Sequence, residues 1–191
     1  MTDRGRLLAT VLLAAALLGS VLLPGPAAGG GLPPAPPAAP TFSPDPGVLL
    51  VRVCPHPARD DEFIELGNAG DVAIDLSGWS LTDREAIAVF PAATGLPPGG
   101  RLVATRNATS YAEDVRSPAD LTYDRGDARR MEGDALRLAD TGDEVLLLDA
   151  GGAVVDAYVY GTSSYAGSGW TGSPADAPVR GEIATRLASG A

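Results

Sequence analysis

The sequence predicts an all-β sandwich, on three observations. Between residues 48 and 161 it holds eight short runs rich in Val, Ile, Leu and aromatic residues. Clusters of Gly, Pro, Asn and Asp separate these runs, and the clearest of them alternate apolar with polar residues. An alternation of period two puts every second side chain on one face, as a half-buried strand requires.

The runs are VLLVRV (48–53), EFIELG (62–67), VAIDL (72–76), WSLT (79–82), AIAVF (86–90), RLVATR (101–106), EVLLLDA (144–150) and AVVDAYVYG (153–161). In VAIDL, Val72, Ile74 and Leu76 share one face and Ala73 and Asp75 the other. In EFIEL, Ile64 and Leu66 oppose Phe63 and Glu65. NAGD (68–71) and DAGG (149–152) are short and turn-forming, which predicts hairpins between the runs they join. The prolines of LPPGG (96–100) sit just before RLVATR, where no ladder donor is required. Residues 108–134 are polar, with clustered acids and Arg129-Arg130, and read as a long surface loop with one short helix near Tyr111–Val115.

Two segments precede this domain. Residues 1–23 begin with Arg4 and Arg6 and continue as 17 residues without a charge (7–23), which is either an export signal or a membrane anchor touching the bilayer through residues 7–23. No further basic residue occurs before Arg52, so the positive-inside rule places the body outside the cytoplasm, secreted or held at the outer face of the membrane. Residues 24–47 are rich in Pro, Ala and Gly and read as a semi-rigid linker. Residues 162–191 form a Gly/Ser/Pro-rich C-terminal tail. Within it, Trp170 either folds back with Tyr165 or contacts a glycan or partner, and packing is the expected state.

Charge and residue inventory narrow the function. The chain has 24 acidic against 14 basic residues, every basic one Arg, for a net charge of −10, so it repels phosphate backbones and nucleic acid is not an expected partner of this chain alone. Cys54 is the one cysteine, which excludes an intramolecular disulfide. It ends an apolar run, and it is expected to be a buried or half-buried strand-end thiol rather than a nucleophile paired with His56, the one histidine.

The acids Asp60, Asp61, Glu62, Glu65, Asp75 and Asp83 read as a solvated face with turn-forming Asp at strand ends. Calcium is the rival reading, because clustered carboxylates suit a hard cation, although no D-x-[DN]-x-[DN]-G loop is present. Asp60, Asp61 and Glu62 are its first candidates, followed by Asp140 and Asp143; no resident cofactor is otherwise expected. Asn107-Ala108-Thr109 is an N-glycosylation sequon, which makes Asn107 a candidate acceptor.

Taken together, DEFIELGNAGDVAIDLSGWSLTD (61–83), FPAATGLPPGGRLVATRN (90–107) and DTGDEVLLLDAGGAVVDAYVYG (140–161) resemble the lamin tail domain family. The shared features are an E-[FW]-[IV]-E-L-x-N segment, an L-x-G-W-x-L-x-D segment, an L-x-P-G-x-x-L-V strand and a closing G-D-x-[VL]-x-L-x-D pair. The resemblance spans residues 48–161 and implies an immunoglobulin-like β-sandwich with Trp79 as a structural residue and no catalytic residues. Ile64, Leu66, Ile74, Trp79 and Leu148 are the expected core. Heptads are absent, so a filament role does not follow.

The family's exported prokaryotic type implies a non-catalytic module acting at the cell surface on an unidentified protein or envelope partner. The alternative is the N-terminal accessory part of an exported phospholipase D-like or nuclease hydrolase whose catalytic part is missing or separately encoded, with APVRGEIATRLASGA as the approach to something further. The chain itself has one His and no Lys, which excludes the paired His and Lys of phospholipase D-like chemistry.

Overall fold

The computed structural model describes residues 47–186. The expectations for residues 1–23 and for nearly all of 24–47 therefore lie outside the described residues. In chain order the elements are β1 (Val48–Cys54), β2 (Phe63–Asn68), β3 (Ile74–Asp75), β4 (Ser80–Thr82), β5 (Ile87–Val89), β6 (Gly95–Leu96) and β7 (Arg101–Asn107). They continue with α1 (Ala108–Val115), β8 (Leu121–Arg125), β9 (Arg129–Arg130), β10 (Glu132–Gly133), β11 (Gly142–Leu148), β12 (Val154–Gly161) and β13 (Ala184–Thr185). One sheet runs β13-β1-β2-β7-β8-β9, a second runs β10-β5-β4-β11-β12, and β3-β6 is a two-stranded ribbon. This is the all-β sandwich the alternation predicts.

The core lies between the sheets, where Val48, Leu50, Val53, Ile64, Leu66, Leu81, Val145 and Leu147 are among its buried members. VLLVRVC does not alternate strictly, and a bulge resolves this. Leu50 pairs with Leu66 and Arg52 with Glu65, leaving Val51 extra. The inserted residue shifts the phase, so that Val48, Leu50 and Val53 all reach the core while Arg52 and Cys54 turn to the other face. In the LSGW turn, Trp79 N donates to Leu76 O (2.9 Å), and Gly78 holds φ +77, a conformation that favours glycine at this turn position.

Four local expectations are corrected. NAGD is not a hairpin, because β2 pairs with β1 and β7 while β3 pairs with β6. Buried Asn68 is the cause: its Oδ1 accepts from Gly70 N (2.9 Å), and its Nδ2 donates to Val72 O (2.8 Å) and Leu96 O (3.0 Å), which carries the chain across to β6. DAGG, in contrast, does join an antiparallel pair, β11 and β12.

Residues 108–134 are not mainly loop. α1 is a crossover between the parallel strands β7 and β8, and Leu121, Tyr123 and Met131 are buried in the core. The signal is short, since LTY alternates over only three residues.

Leu148 does not belong to the main core. Val145 and Leu147 face inward, whereas Leu146 lies in a separate outer cluster with Ala157 and Val159, against which partly buried Leu148 packs. Ile64, Leu66 and Ile74 are buried in the main core, and Trp79 packs against it half-buried.

The segment from residue 162 to 186 is not a free tail. Ala175 N donates to Val159 O (2.9 Å), Gly181 N to His56 O (2.7 Å) and Arg186 N to Val51 O (2.9 Å), so the chain folds back across both sheets and ends as edge strand β13.

Candidate functional site

Four of the six acids read as a solvated face are buried: Asp61, Glu62, Glu65 and Asp83. A buried carboxylate needs donors, and three of them have a full set. Glu65 takes Arg52 (2.8 Å) and Arg101 (3.3 Å), bridging β1, β2 and β7 on the outer face. Asp83 caps the β4–β5 turn through Glu85 N (3.0 Å) and Ala86 N (2.7 Å) and reaches Arg137 N (3.0 Å). Glu62 accepts from Arg106 Nη1 (3.1 Å) and Leu138 N (3.3 Å), while its backbone oxygen receives Thr105 Oγ1 (2.9 Å) and the Tyr123 hydroxyl (3.2 Å). The alternation in EFIEL placed Glu65 opposite Ile64 and Leu66, but did not show that Arg52 and Arg101 from neighbouring strands would cover it.

Asp60, Asp61 and Glu62 do not converge on one point. Asp60 pairs with Arg125 and accepts from Asn107 Nδ2 (3.0 Å) and Ser110 Oγ (2.9 Å). Asp61 keeps one buried oxygen without a donor, and burial raises its pKa. Asp140 sits 3.3 Å from His56 Nε2, and Asp143 accepts from Ala139 N and Glu144 N, both at 2.9 Å. Among the described residues no three such groups are placed to share a cation.

Glu62 is the most perturbed of these acids. Burial pushes its pKa from the ordinary 4.5 up to about 7, outweighing the opposing pull of Arg106 and of the Leu138 N–H. The folded state therefore holds this proton more tightly than the unfolded chain does. Stability contributed by protonated Glu62 is present below about pH 4.5 and is lost as pH rises to about 7, by up to about 3 kcal/mol. Urea unfolding between those limits should show the decline in the native chain and a flatter profile in Glu62→Gln. Identical slopes in the two would reject the assignment.

Cys54 is buried with Phe63 and Tyr111. Burial, with Asp61 and Glu62 nearby, raises its thiol to about 11, and His56 is engaged with Asp140. A thiol in this state is not a nucleophile at neutral pH.

Asn107 is the N-cap of α1: its Oδ1 receives Thr109 N (3.2 Å) and Ser110 N (3.3 Å), and its Nδ2 donates to Asp60 and Ser110 Oγ. A glycan on Nδ2 would remove one of those two hydrogens. Asn107→Ala should cost about 1–2 kcal/mol and Asn107→Ser about half of that, measured by thermal unfolding; equal losses for both would argue against the cap.

The second feature is a groove of about 220 Å³ where the sheets part, between β1 and edge strand β12. In β12, Asp156 pairs with inward-facing Leu147 and so faces inward, beside the register shift at Val155. Its carboxylate accepts Leu50 N (2.7 Å) from the other sheet and both Arg186 Nη2 contacts (2.8 and 2.7 Å). Trp170 folds back as expected, packing with Tyr165 on the outer cluster and meeting Tyr158 edge-on at 6.4 Å. Its indole N–H is buried without an acceptor. The reading of residues 162–191 as a tail concealed this wall; the polar residue inside VVDAYVY was the available signal.

Two facing sheets packed on a shared apolar core define an immunoglobulin-like β-sandwich. The sequence profile of the Lamin Tail Domain family matches residues 41–162, and the chain belongs to that family. A solved structure of a DUF4876 family protein from Bacteroides thetaiotaomicron is similar in fold, with a TM-score of 0.50 and 12% identity over 63% of this chain. The match spans 55% of that protein's chain. No curated protein matches.

Proposed function

We propose that the protein is a non-catalytic, exported interaction module, a β-sandwich carried on a Pro/Ala/Gly-rich linker that binds a protein or envelope partner. The observation that carries this reading is the use of the polar groups. Apart from Asp61, the buried carboxylates are tied to arginines and backbone N–H groups that join strands, the thiol is buried, and His56 is engaged by Asp140. Reactive groups in an enzyme site are instead held toward a pocket where substrate can reach them. Membership of a family built on this sandwich agrees with the reading. Export rests on Arg4 and Arg6 ahead of the charge-free run.

The test of this reading is incubation of the purified chain with phospholipid, nucleic-acid and peptide substrates, with no turnover expected. Steady turnover lost on changing Asp60, Asp61 or Glu62 in a folded variant would overturn it. Mass spectrometry of the mature N-terminus, together with protease accessibility on intact cells, tests export; a chain protected inside the cell would refute that part.

A further inference from the structure

The edge of β1 is covered by a segment that the sandwich does not need for its core. The Lamin Tail Domain match ends at residue 162, and the main core, with the residues packed against it, is drawn from residues before that point. Residues 163–186 reach only the outer clusters, through Tyr165, Trp170 and Ile183. β13 nevertheless sits on β1 as a ligand strand sits on an open sheet edge. Thr185 pairs with Arg52 and Ala184 with Val53, and Arg186 N donates to Val51 O (2.9 Å). Alternation then sorts its side chains. Ile183 packs with the cluster of Cys54, Phe63 and Tyr111, whereas Ala184 and Arg186 line the groove beside β12.

The end of this edge reads an arginine. Asp156 lies inside the family match, and its buried carboxylate takes Arg186 Nη2 (2.8 and 2.7 Å) while Arg186 Nε donates to Leu50 O (2.9 Å). The cation comes from beyond the match. A buried carboxylate left without such a partner is strongly destabilising, so the domain itself carries a seat for a guanidinium at the end of an extended strand. We propose that the β1 edge is the partner-binding surface of the protein and that β13 occupies it in cis. The partner's strand carries an apolar residue, a small residue and an arginine at the spacing of Ile183, Ala184 and Arg186, and it binds by displacing β13. The inference deepens the contact reading above and rests on it. Displacement leaves the main core intact, because β13 is two residues long and Val179 ahead of it is 70% exposed.

The experiment titrates the full chain with a labelled, amidated peptide VRGEIATR, the sequence of residues 179–186, followed by fluorescence anisotropy. In the native chain the peptide competes with a strap held at an effective concentration on the order of 1 mM. The Arg186→Gln chain, whose strap has lost its guanidinium, should therefore bind with a dissociation constant on the order of 10–500 µM, and the native chain about tenfold more weakly or worse. On the Arg186→Gln chain, a peptide that itself carries Arg186→Gln should bind about tenfold more weakly. That preference should shrink below about threefold once the chain also carries Asp156→Asn. N-methylation of the peptide at residue 186, which removes the donor to Val51 O, should cost about fivefold. A scrambled peptide should not bind.

Each variant is titrated below its unfolding transition. If Arg186→Gln does not fold, hydrogen exchange in the isotope-labelled native chain decides: excess peptide should quicken the chain's own Arg186 amide by about threefold or more, while the β2–β7 ladder keeps its protection. The proposal is overturned by no binding to the Arg186→Gln chain up to about 1 mM, by equal binding of the scrambled peptide, by a preference for arginine that survives Asp156→Asn, or by native exchange that the peptide leaves unmoved. Turnover in the substrate assay would remove the contact reading itself, whereas a failed titration without turnover removes only the strand site.

Discussion

Leu147→Ala is expected to destabilise the domain by about 3 kcal/mol, while Leu148→Ala, one residue on, costs about 1 kcal/mol or less. Leu147 is fully buried between the sheets, in the cluster that holds Val145 and Leu81, so its removal leaves a cavity that rigid strands on both sides cannot close. Leu148 is partly exposed on the outer face, where Tyr165 and Trp170 can settle toward the gap. Urea denaturation of the two variants should separate their midpoints clearly, with similar slopes. Equal losses, or a larger loss at Leu148, would mean that β11 is out of register by one residue and that the face assignment of every residue in it is reversed.

The same pair shows what the sequence could and could not reveal. EVLLLDA announces a strand by composition, but three consecutive leucines erase the alternation that says which face is inside. Ile64, Leu66 and Ile74 were legible because Glu65 and Asp75 stand beside them and mark the opposite face. The bulge at Val51 hid the phase of β1, since one inserted residue breaks a period-two pattern without any distinctive residue type. α1 was legible from its polar, turn-free stretch, whereas β8 after it was not: a parallel strand following a crossover carries no hairpin signal.

The acids were misplaced for a related reason. A carboxylate is assigned to water by default, and its burial depends on arginines distant in sequence, such as Arg106 for Glu62, 44 residues away. The groove was the least visible of all, because it joins β1 to residues 157–186, a separation that no local pattern encodes.

Asp156→Ala should cost about 3 kcal/mol and Asp156→Asn about half as much. Asp156 is 5% exposed in the middle of an apolar strand, and its carboxylate is the direct polar link between the edge of one sheet and the strand facing it. Alanine leaves the buried Leu50 N–H without an acceptor and releases Arg186, whose own N–H pairs with Val51 O next to β13. Asparagine keeps an oxygen for Leu50 but gives up the charge that holds the guanidinium.

The loss should therefore be distributed unevenly. Hydrogen exchange in Asp156→Ala should quicken first at Arg186 and at the β1–β13 pairs of Arg52 and Val53, while the β2–β7 ladder keeps its protection. If both variants unfold at the native midpoint, or if exchange rises evenly across the sandwich, Asp156 does not tie the sheets at this edge. The wall of the groove would then need another support.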